Sequence, residues 1–142
     1  MIGLTLTLAL QLATASTDSQ TYATAYEEME RSGRPLLVLV GADWCPGCRT
    51  MKQTVLPNLQ RTGKLSDISM ALVNTDNNSA LANKLMRGGT IPQLVLFTKT
   101  ESGWQRTQLT GAHSETQVRT FIERALEKHV GQKPAAETAA RN

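Results

Sequence analysis

Apolar residues in the middle of the chain form short runs that predict β-strands. Residues 36–40 (LLVLV) are continuously apolar and lie between turn signals, which is typical of a central strand covered on both faces. Residues 68–73 (ISMALV) and 93–97 (QLVLF) predict two further buried strands. A fourth strand is expected over residues 105–109, paired with the third as a hairpin after a turn at residues 100–103.

Between these runs, apolar positions recur with the spacing of helices. Residues 20–32 predict an amphipathic helix, and a second helix is expected to begin near Cys45 and to end or kink at Pro57, which has no N–H. A short helix is expected between the second and third strands. The last helix is the clearest, because Ser114 and Gln117 have capping-box spacing ahead of an apolar stripe. That stripe consists of Val118, Phe121, Ile122, Ala125 and Leu126.

The predicted order is helix, strand, helix, strand, helix, strand, strand, helix. The early alternation predicts parallel strands with helices on both faces, and the final pair of adjacent strands predicts a hairpin at one edge. We therefore expect an α/β fold with a central mixed four- to five-stranded sheet, flanked by helices on both faces.

Both ends of the chain differ from this middle part. Residues 2–13 are apolar or weakly polar and uncharged, and small residues at the positions preferred by a signal peptidase follow up to Ala15. We therefore expect a signal peptide at residues 1–15, a folded domain at 16–130, a disordered tail at 131–142, and export to the periplasm or the cell exterior. No Lys or Arg precedes the apolar segment, which leaves two alternatives open: a true start further upstream, or a segment retained as a weak anchor. An ordinary N-terminal helix is the third interpretation.

Composition and charge narrow the class of protein. The 142 residues include 15 Lys and Arg against 12 Asp and Glu, a formal net charge of +3 that is spread along the chain. Basic residues do not cluster with aromatic ones, which argues against nucleic-acid binding. The apolar N-terminal segment is too short for a comfortable transmembrane helix, so stable membrane insertion is not expected.

Two cysteines, Cys45 and Cys48, are the strongest chemical signal. A bridge across three positions closes too short a loop to stabilise a fold, so reactivity or metal binding explains the pair better. Cys45 is expected at the N-terminus of a helix that follows a buried strand, where free N–H groups and the helix dipole favour a thiolate. We expect Cys45 to attack a substrate disulfide and Cys48, one turn further on, to resolve the mixed disulfide.

Three landmarks give the chain a resemblance to the thioredoxin superfamily. Residues 36–48 (LLVLVGADWCPGC) resemble its active-site strand and loop, and residues 90–92 (TIP), followed by QLVLF, resemble its cis-proline loop. Gly111 stands where thioredoxins carry a glycine. The resemblance covers roughly residues 35–128, a thioredoxin-like domain within the expected folded part. The phrase ADWCPGC looks closest to exported thioredoxin-like proteins, among them the C-terminal domain of the membrane disulfide reductase.

The resemblance implies a thiol–disulfide oxidoreductase, which we expect to act as a reductase. It implies a cis peptide bond before Pro92, with a preceding backbone that pairs with the main chain of a substrate. The catalytic residues would be the two cysteines, with no cofactor beyond their redox-active disulfide and no metal. Partners would be protein dithiols or disulfides and an upstream redox partner, and the protein would be a monomer. The residues expected to contact substrate are Trp44, Pro46, Gly47, Ile91 and Pro92.

The sequence departs from thioredoxins at three points around the motif. The buried acid of the strand before the motif is replaced by Leu39, so proton transfer to or from Cys48 needs water or another group. The tryptophan before the active-site loop is replaced by Gly41, and the dipeptide between the cysteines is Pro-Gly rather than Gly-Pro. Because that dipeptide helps to set the redox potential, the sequence leaves oxidation and isomerisation open beside reduction.

Two other functions would use the same fold or the same cysteines. A copper-delivery protein would bind Cu(I) through the two thiolates, since soft ligands suit that ion. A redox-inert binding module would keep the fold without the chemistry. Structural zinc needs four ligands, which this sequence does not offer at suitable spacing. His113 and His129 lie far from the motif in sequence and are not expected to bind a metal, and His129 is placed to complement the C-terminus of the last helix.

Overall fold

The computed structural model describes residues 21–130, so the expected signal peptide and tail lie outside the described residues. The order of elements is the one that the sequence predicts, when the helical residues 46–61 count as one continuous helix. In chain order the elements are α1 (Tyr22–Ser32), β1 (Leu36–Gly41), α2 (Pro46–Thr50), a π-helical turn (Met51–Val55), α3 (Leu56–Arg61), β2 (Ser69–Asn74), α4 (Ser79–Leu85), β3 (Gln93–Thr100), β4 (Gly103–Thr110) and α5 (Glu115–Leu126).

Four strands form one mixed sheet in the order β2-β1-β3-β4. Strand β1 runs parallel to β2 and antiparallel to β3, and β3 and β4 form an antiparallel hairpin at one edge. The parallel pair needs a crossover connection, which the helical residues 46–61 supply. The predicted α/β class, the parallel start of the sheet and the hairpin at its end are all confirmed.

Strand β1 lies inside the sheet, and all six of its residues are buried. Side chains alternate between the two faces of a strand, so this apolar run divides between two cores. Leu37 and Leu39 pack in one core with the π-helical turn, α3 and α5. Leu36, Val38 and Val40 pack in the other core with α1 and α4. The continuous run therefore marks a strand covered on both faces, as predicted.

Strand β2 is only in part the buried strand that the sequence predicts. It begins at Ser69 rather than at residue 68, and its residues alternate between buried and half-buried. The reason is its position at the edge of the sheet. Ala71 and Val73 are buried in the core with α1 and α4, whereas Met70 and Leu72 are only partly covered on the opposite face.

Of the two outcomes predicted at Pro57, an end or a kink of the second helix, the structure excludes the end. The chain continues as α3 to Arg61. In the π-helical turn just before the proline, the N–H of Leu56 bonds to the carbonyl of Met51, five residues back. This wider hydrogen-bond pattern accommodates a residue that has no N–H and whose ring would otherwise meet the carbonyl four positions earlier.

The N-terminus of α5 is the predicted capping box. The Ser114 hydroxyl accepts a hydrogen bond from the N–H of Gln117, and Gln117 Oε1 accepts one from the N–H of Ser114 at 3.0 Å. Val118 and Ile122 are buried, and the rest of the predicted stripe is partly buried against the same core. The helix thus packs through the face that the sequence indicates.

The N–H of His129 donates to the carbonyl of Leu126, the last residue of α5, at 3.0 Å, but its ring does not complement this helix C-terminus, contrary to the prediction. Its ring Nδ1 accepts a hydrogen bond from the N–H of Lys99 in β3 at 3.2 Å. The N–H of Val130 donates to the Lys99 carbonyl at 2.7 Å, so the chain after α5 is tied to β3. A nitrogen that accepts a hydrogen bond carries no proton, and burial lowers the pKa of His129 below its ordinary value. The ring therefore holds this contact in its neutral form.

We expect acid to weaken the contact between His129 and Lys99. A histidine whose pKa is lower in the folded protein binds its proton more readily in the unfolded state, so protonation favours unfolding. The stabilisation by the neutral ring is therefore complete above about pH 6.5, the ordinary pKa of histidine, and decreases as the pH falls below that value. Urea unfolding of the wild type and of His129→Asn, which cannot titrate, measures this contribution. The difference in unfolding free energy should decrease measurably between about pH 7.5 and pH 5, by at most about 1 kcal/mol because the ring is only half-buried. A constant difference would contradict the prediction.

Candidate active site

Cys45 and Cys48 form a disulfide at the junction of β1 and the helix that follows it. Their Cα atoms are 5.2 Å apart. Cys45 caps helix α2, and the N–H of Cys48 donates a hydrogen bond to Cys45 Sγ at 3.2 Å. Pro46 occupies the first helical position, where a missing N–H costs the helix no hydrogen bond. Both cysteines stand where the sequence places them.

The surroundings of Cys45 favour negative charge on its sulfur. The side chain lies at the positive end of a helical segment that runs from Pro46 to Arg61. The N–H that points at this sulfur is one of the free donors of the first helical turn. A thiolate formed at Cys45 would keep that hydrogen bond, which is stronger when the acceptor is charged. Cys45 is 6% exposed and Cys48 is 4% exposed, so only a small part of either side chain is open to a substrate.

The segment before β3 lies against the disulfide. The Ile91–Pro92 peptide bond is cis, the geometry that the resemblance implies. The Ile91 carbonyl oxygen is 4.0 Å from Cys45 Sγ, and the Ile91 side chain packs against Ala42 and both cysteines. The Pro92 carbonyl accepts a hydrogen bond from the N–H of Gly111 at 2.8 Å, which ties this segment to the end of β4.

Gly47 allows the cysteine loop to approach the proline closely. A Cβ atom at this position would lie 3.1 Å from Ala112 Cβ and 3.4 Å from Pro92 Cδ. The distance to Ala112 is tighter than an ordinary carbon contact, so a larger residue would clash with Ala112 and displace the cysteine loop. Gly47, Ile91 and Pro92, three of the five residues expected to contact substrate, therefore lie together beside the cysteines.

Trp44 flanks the disulfide with its ring largely in solvent, 66% exposed. Its indole N–H donates a hydrogen bond to Asp76 Oδ2 at 3.0 Å. The carboxylate of the neighbouring Asp43 accepts a hydrogen bond from Asn74 Nδ2 at 3.3 Å. These two bonds join the loop before the cysteines to the end of β2, so the exposed aromatic ring is held in a defined place.

A solvent-open cavity of about 430 Å³ lies behind Cys48. Its wall includes Leu39 and Gly41 of β1 and the side chain of Lys52. A Cβ atom at Gly41 would lie 2.8 Å from Cys48 Sγ, so β1 can approach the second cysteine this closely only with glycine at that position. Leu39 is 4% exposed and presents an apolar side chain where thioredoxins carry an acid.

This geometry agrees with the match of the sequence to a protein family. The sequence profile of a family described as thioredoxin-like matches residues 17–99, more than half of the 142-residue chain. The chain belongs to the thioredoxin-like family. No curated protein matches the sequence.

Solved structures that resemble this thioredoxin-like protein include thioredoxins from distant organisms. The solution structure of a thioredoxin from Thermus thermophilus has a TM-score of 0.62 at 20% identity, covering 86% of this chain and 94% of that one. Trichomonas vaginalis thioredoxin gives 0.56 at 23% identity, covering 75% and 93%. Trxlp from Edwardsiella tarda gives 0.56 at 25% identity, covering 70% and 91%. These likenesses establish the thioredoxin fold that the resemblance predicted.

The thioredoxin-like fold and the disulfide within a CxxC motif together support thiol–disulfide oxidoreductase as the general class of this protein. Among residues 21–130, no group of three or more His, Cys, Asp or Glu side chains is placed to hold a metal ion. The two histidine rings have their hydrogen bonds elsewhere, His113 with the Thr110 carbonyl and His129 with the N–H of Lys99. Within the same part of the chain, no helix is long and apolar enough to cross a membrane.

Sequence reasoning missed three parts of this thioredoxin-like site. They are Asp76, which holds Trp44, the cavity behind Cys48, and the buried side chain of Gln93 beside the cis-proline loop. The first two depend on segments that are distant in the chain, so no local pattern indicates them. Gln93 did give a signal, because it is a polar residue at the start of an otherwise apolar strand.

Proposed function

We propose that this thioredoxin-like protein reduces protein disulfides outside the cytoplasm, with Cys45 as the nucleophile and Cys48 as the resolving residue. One observation carries the proposal: the N–H of Cys48 donates to Cys45 Sγ at the start of a helix, beside the cis Ile91–Pro92 bond. This arrangement favours the charged form of the sulfur that attacks a disulfide and that leaves in the reverse reaction.

The proposed cycle begins with the reduced protein. The Cys45 thiolate attacks one sulfur of a substrate disulfide and bonds to it, and the other substrate sulfur leaves as a thiolate that takes up a proton. Cys48 then loses its proton and attacks Cys45 Sγ, which forms the internal disulfide and releases the second substrate thiol. Two electrons pass to the substrate in each cycle, so a redox partner must return two electrons. The cycle needs no cofactor beyond this disulfide.

The main chain of Ile91 supports a docking mode for the substrate. Within residues 21–130, the N–H of Ile91 donates to no other group, and its carbonyl oxygen faces Cys45. An extended segment of a substrate protein can pair with these groups as an added strand and bring its disulfide to Cys45. Trp44 and Pro46, both exposed, would border this segment, and Gly47 would form its floor.

The proposal also includes the direction of the redox reaction, the cellular compartment and the partners of the protein. The resemblance of ADWCPGC to exported reductases favours reduction, and the apolar segment within residues 1–15 favours export. Reduction in an oxidising compartment depends on an upstream partner that keeps the cysteines reduced. We propose that the protein works as a monomer on protein disulfides.

The redox potential of the cysteine pair tests whether the protein reduces or oxidises its substrates. Equilibration with dithiothreitol buffers should give a value near the thioredoxin range of about −270 mV, and the reduced protein should reduce insulin. A value near about −120 mV would identify an oxidant and overturn the direction, but not the exchange chemistry. Binding of one Cu(I) per protein against a competing chelator, without disulfide reduction, would favour copper delivery. Inertness toward both disulfides and Cu(I) would favour a binding module.

A further inference from the structure

Gln93 places a primary amide inside the protein, one residue after the cis-proline. It is the first residue of β3, and its relative exposure is 0%. A primary amide offers two N–H donors and a carbonyl oxygen with two acceptor sites, and a buried polar group without partners destabilises the fold. The hydrogen-bond partners of this side chain therefore indicate its role.

The Gln93 side chain pairs with the main chain of the loop that precedes it. Its Oε1 accepts a hydrogen bond from the N–H of Arg87 at 3.0 Å, and its Nε2 donates to the Arg87 carbonyl at 3.1 Å. Nε2 also donates to the Thr90 carbonyl at 2.8 Å, and Oε1 accepts from Nε2 of Gln108. The amide uses its full capacity and bridges both ends of residues 87–90.

Few other contacts hold residues 87–90 in place. All four residues are exposed, and a Cβ atom built on Gly88 or Gly89 would meet no other atom within 4 Å. Two adjacent glycines leave the main chain free to adopt many conformations. The hydrogen bonds to the Gln93 amide are therefore the contacts that select one conformation of this loop.

The orientation of the amide is itself fixed by polar side chains of β4. Gln108 contacts Gln93, and Arg106 donates a hydrogen bond to Gln108 Oε1 at 2.9 Å. Arg106 also donates to the carbonyl of Leu85, at the end of α4. This chain of contacts connects β4, the end of α4 and the loop, so the Gln93 side chain has little freedom to turn.

The loop ends at the point where we propose that substrate docks. Thr90 is joined to Ile91, whose carbonyl oxygen lies 4.0 Å from Cys45 Sγ. We propose that Gln93 is a positioning residue that holds residues 87–90 so that the Ile91 main chain is aligned for substrate docking. The inference rests on the proposed function, and it assigns no chemical step to the amide. Loss of the amide should therefore harm reactions that need main-chain docking and spare those that need only the two cysteines.

Gln93→Met tests the inference, because methionine has a similar volume and makes none of these hydrogen bonds. In rapid mixing, the rate at which the reduced protein attacks a disulfide-bonded peptide should fall about tenfold, since small misplacements of docking groups slow a reaction steeply. The rate with dithiobis(nitrobenzoic acid), which has no peptide main chain, should stay at the wild-type value, as should the redox potential. Gln105→Met changes an exposed glutamine of β4 and is the matched control, expected to behave as wild type in every assay.

A second variant and a second measurement guard against misfolding. Gln93→Asn keeps a buried amide that is one methylene too short to span residues 87–90. We expect the same slower attack on the peptide and the same unchanged rate with dithiobis(nitrobenzoic acid) as for Gln93→Met. In either variant the N–H of Arg87 should lose protection from hydrogen exchange. If the rates of attack on the peptide and on the aromatic disulfide fall equally, or if the rate with the peptide does not change, the positioning role is overturned. A wild-type protein that reduces neither compound would overturn the proposed function instead.

Discussion

Cys45→Ser should abolish disulfide reduction. A serine hydroxyl does not ionise near neutral pH and cannot form a sulfur–sulfur bond, so the first step of the proposed cycle cannot occur. We expect the rate of insulin reduction to fall by at least about 10³-fold, a conservative figure for removal of a covalent nucleophile. The assay uses a fixed excess of dithiothreitol, and the rate without protein gives the baseline.

Cys48→Ser is the matched variant, because it removes the other sulfur of the same motif. Cys45 can still attack, but no thiol resolves the mixed disulfide, so a covalent complex with the substrate should accumulate. Mass spectrometry of the unreduced sample should show this complex for Cys48→Ser and not for Cys45→Ser. The opposite pattern would make Cys48 the nucleophile, and the helix N-terminus would then lose the role assigned to it.

Much of this fold can be predicted because its signals are local. The run at residues 36–40 is apolar at every position, and its short length between turn residues favours a strand covered on both faces over a buried helix. The cysteine site is equally local, since residues 41–48 contain the end of the strand, the turn and the start of the helix. Because a strand leads into a helix at this point, Cys45 stands at the helix N-terminus, and this position does not depend on contacts with distant parts of the chain.

The errors concern choices that depend on distant parts of the chain. Residues 68–73 are as apolar as a buried strand, but β2 lies at the edge of the sheet. The order of strands in a sheet cannot be inferred from the few residues of one strand, so the sequence does not show that β2 is an edge strand. Pro57 disfavours a helix by roughly 3 kcal/mol, whereas burying two leucines stabilises it by about 3 to 6 kcal/mol. Leu56 and Leu59 are both buried, so the helix continues through the proline with a π-helical turn.

The polar contacts of the site were the least predictable part. Trp44 forms a hydrogen bond with Asp76, and Gln93 forms one with Gln108. In each pair the two residues are far apart in the sequence and come together only when the sheet folds. A buried polar residue needs partners, but the sequence does not show which ones the fold will supply. Gln93 shows this, because it is a polar residue at the start of an apolar run, but its role became clear only from the loop that it holds.

Leu39→Asp should speed the second step of the cycle. Cys48 must lose its proton before it attacks, and Leu39 lies in the wall of the cavity that reaches Cys48. A carboxylate at this position would accept the proton as a general base, and we expect release of the second substrate thiol to become about a hundredfold faster, the lower end of the usual range for such catalysis. Burial raises the pKa of a carboxyl group, and only its ionised form accepts a proton. The gain should therefore grow as the pH rises through that raised pKa.

Leu39→Asn separates the effect of a base from the effect of damaged packing. Both variants lose a buried leucine, at a cost of about 2 to 5 kcal/mol in stability, but only the aspartate can take up a proton. Rapid mixing with a disulfide-bonded peptide isolates the second step, because attack depends on peptide concentration and resolution does not. Asp43, Arg49 and Lys52 are the charged residues that line the same cavity, and the carboxylate and the amine among them can exchange a proton with solvent water. If the two variants resolve the mixed disulfide equally fast, these groups or the water already carry the proton, and the missing acid does not limit this protein.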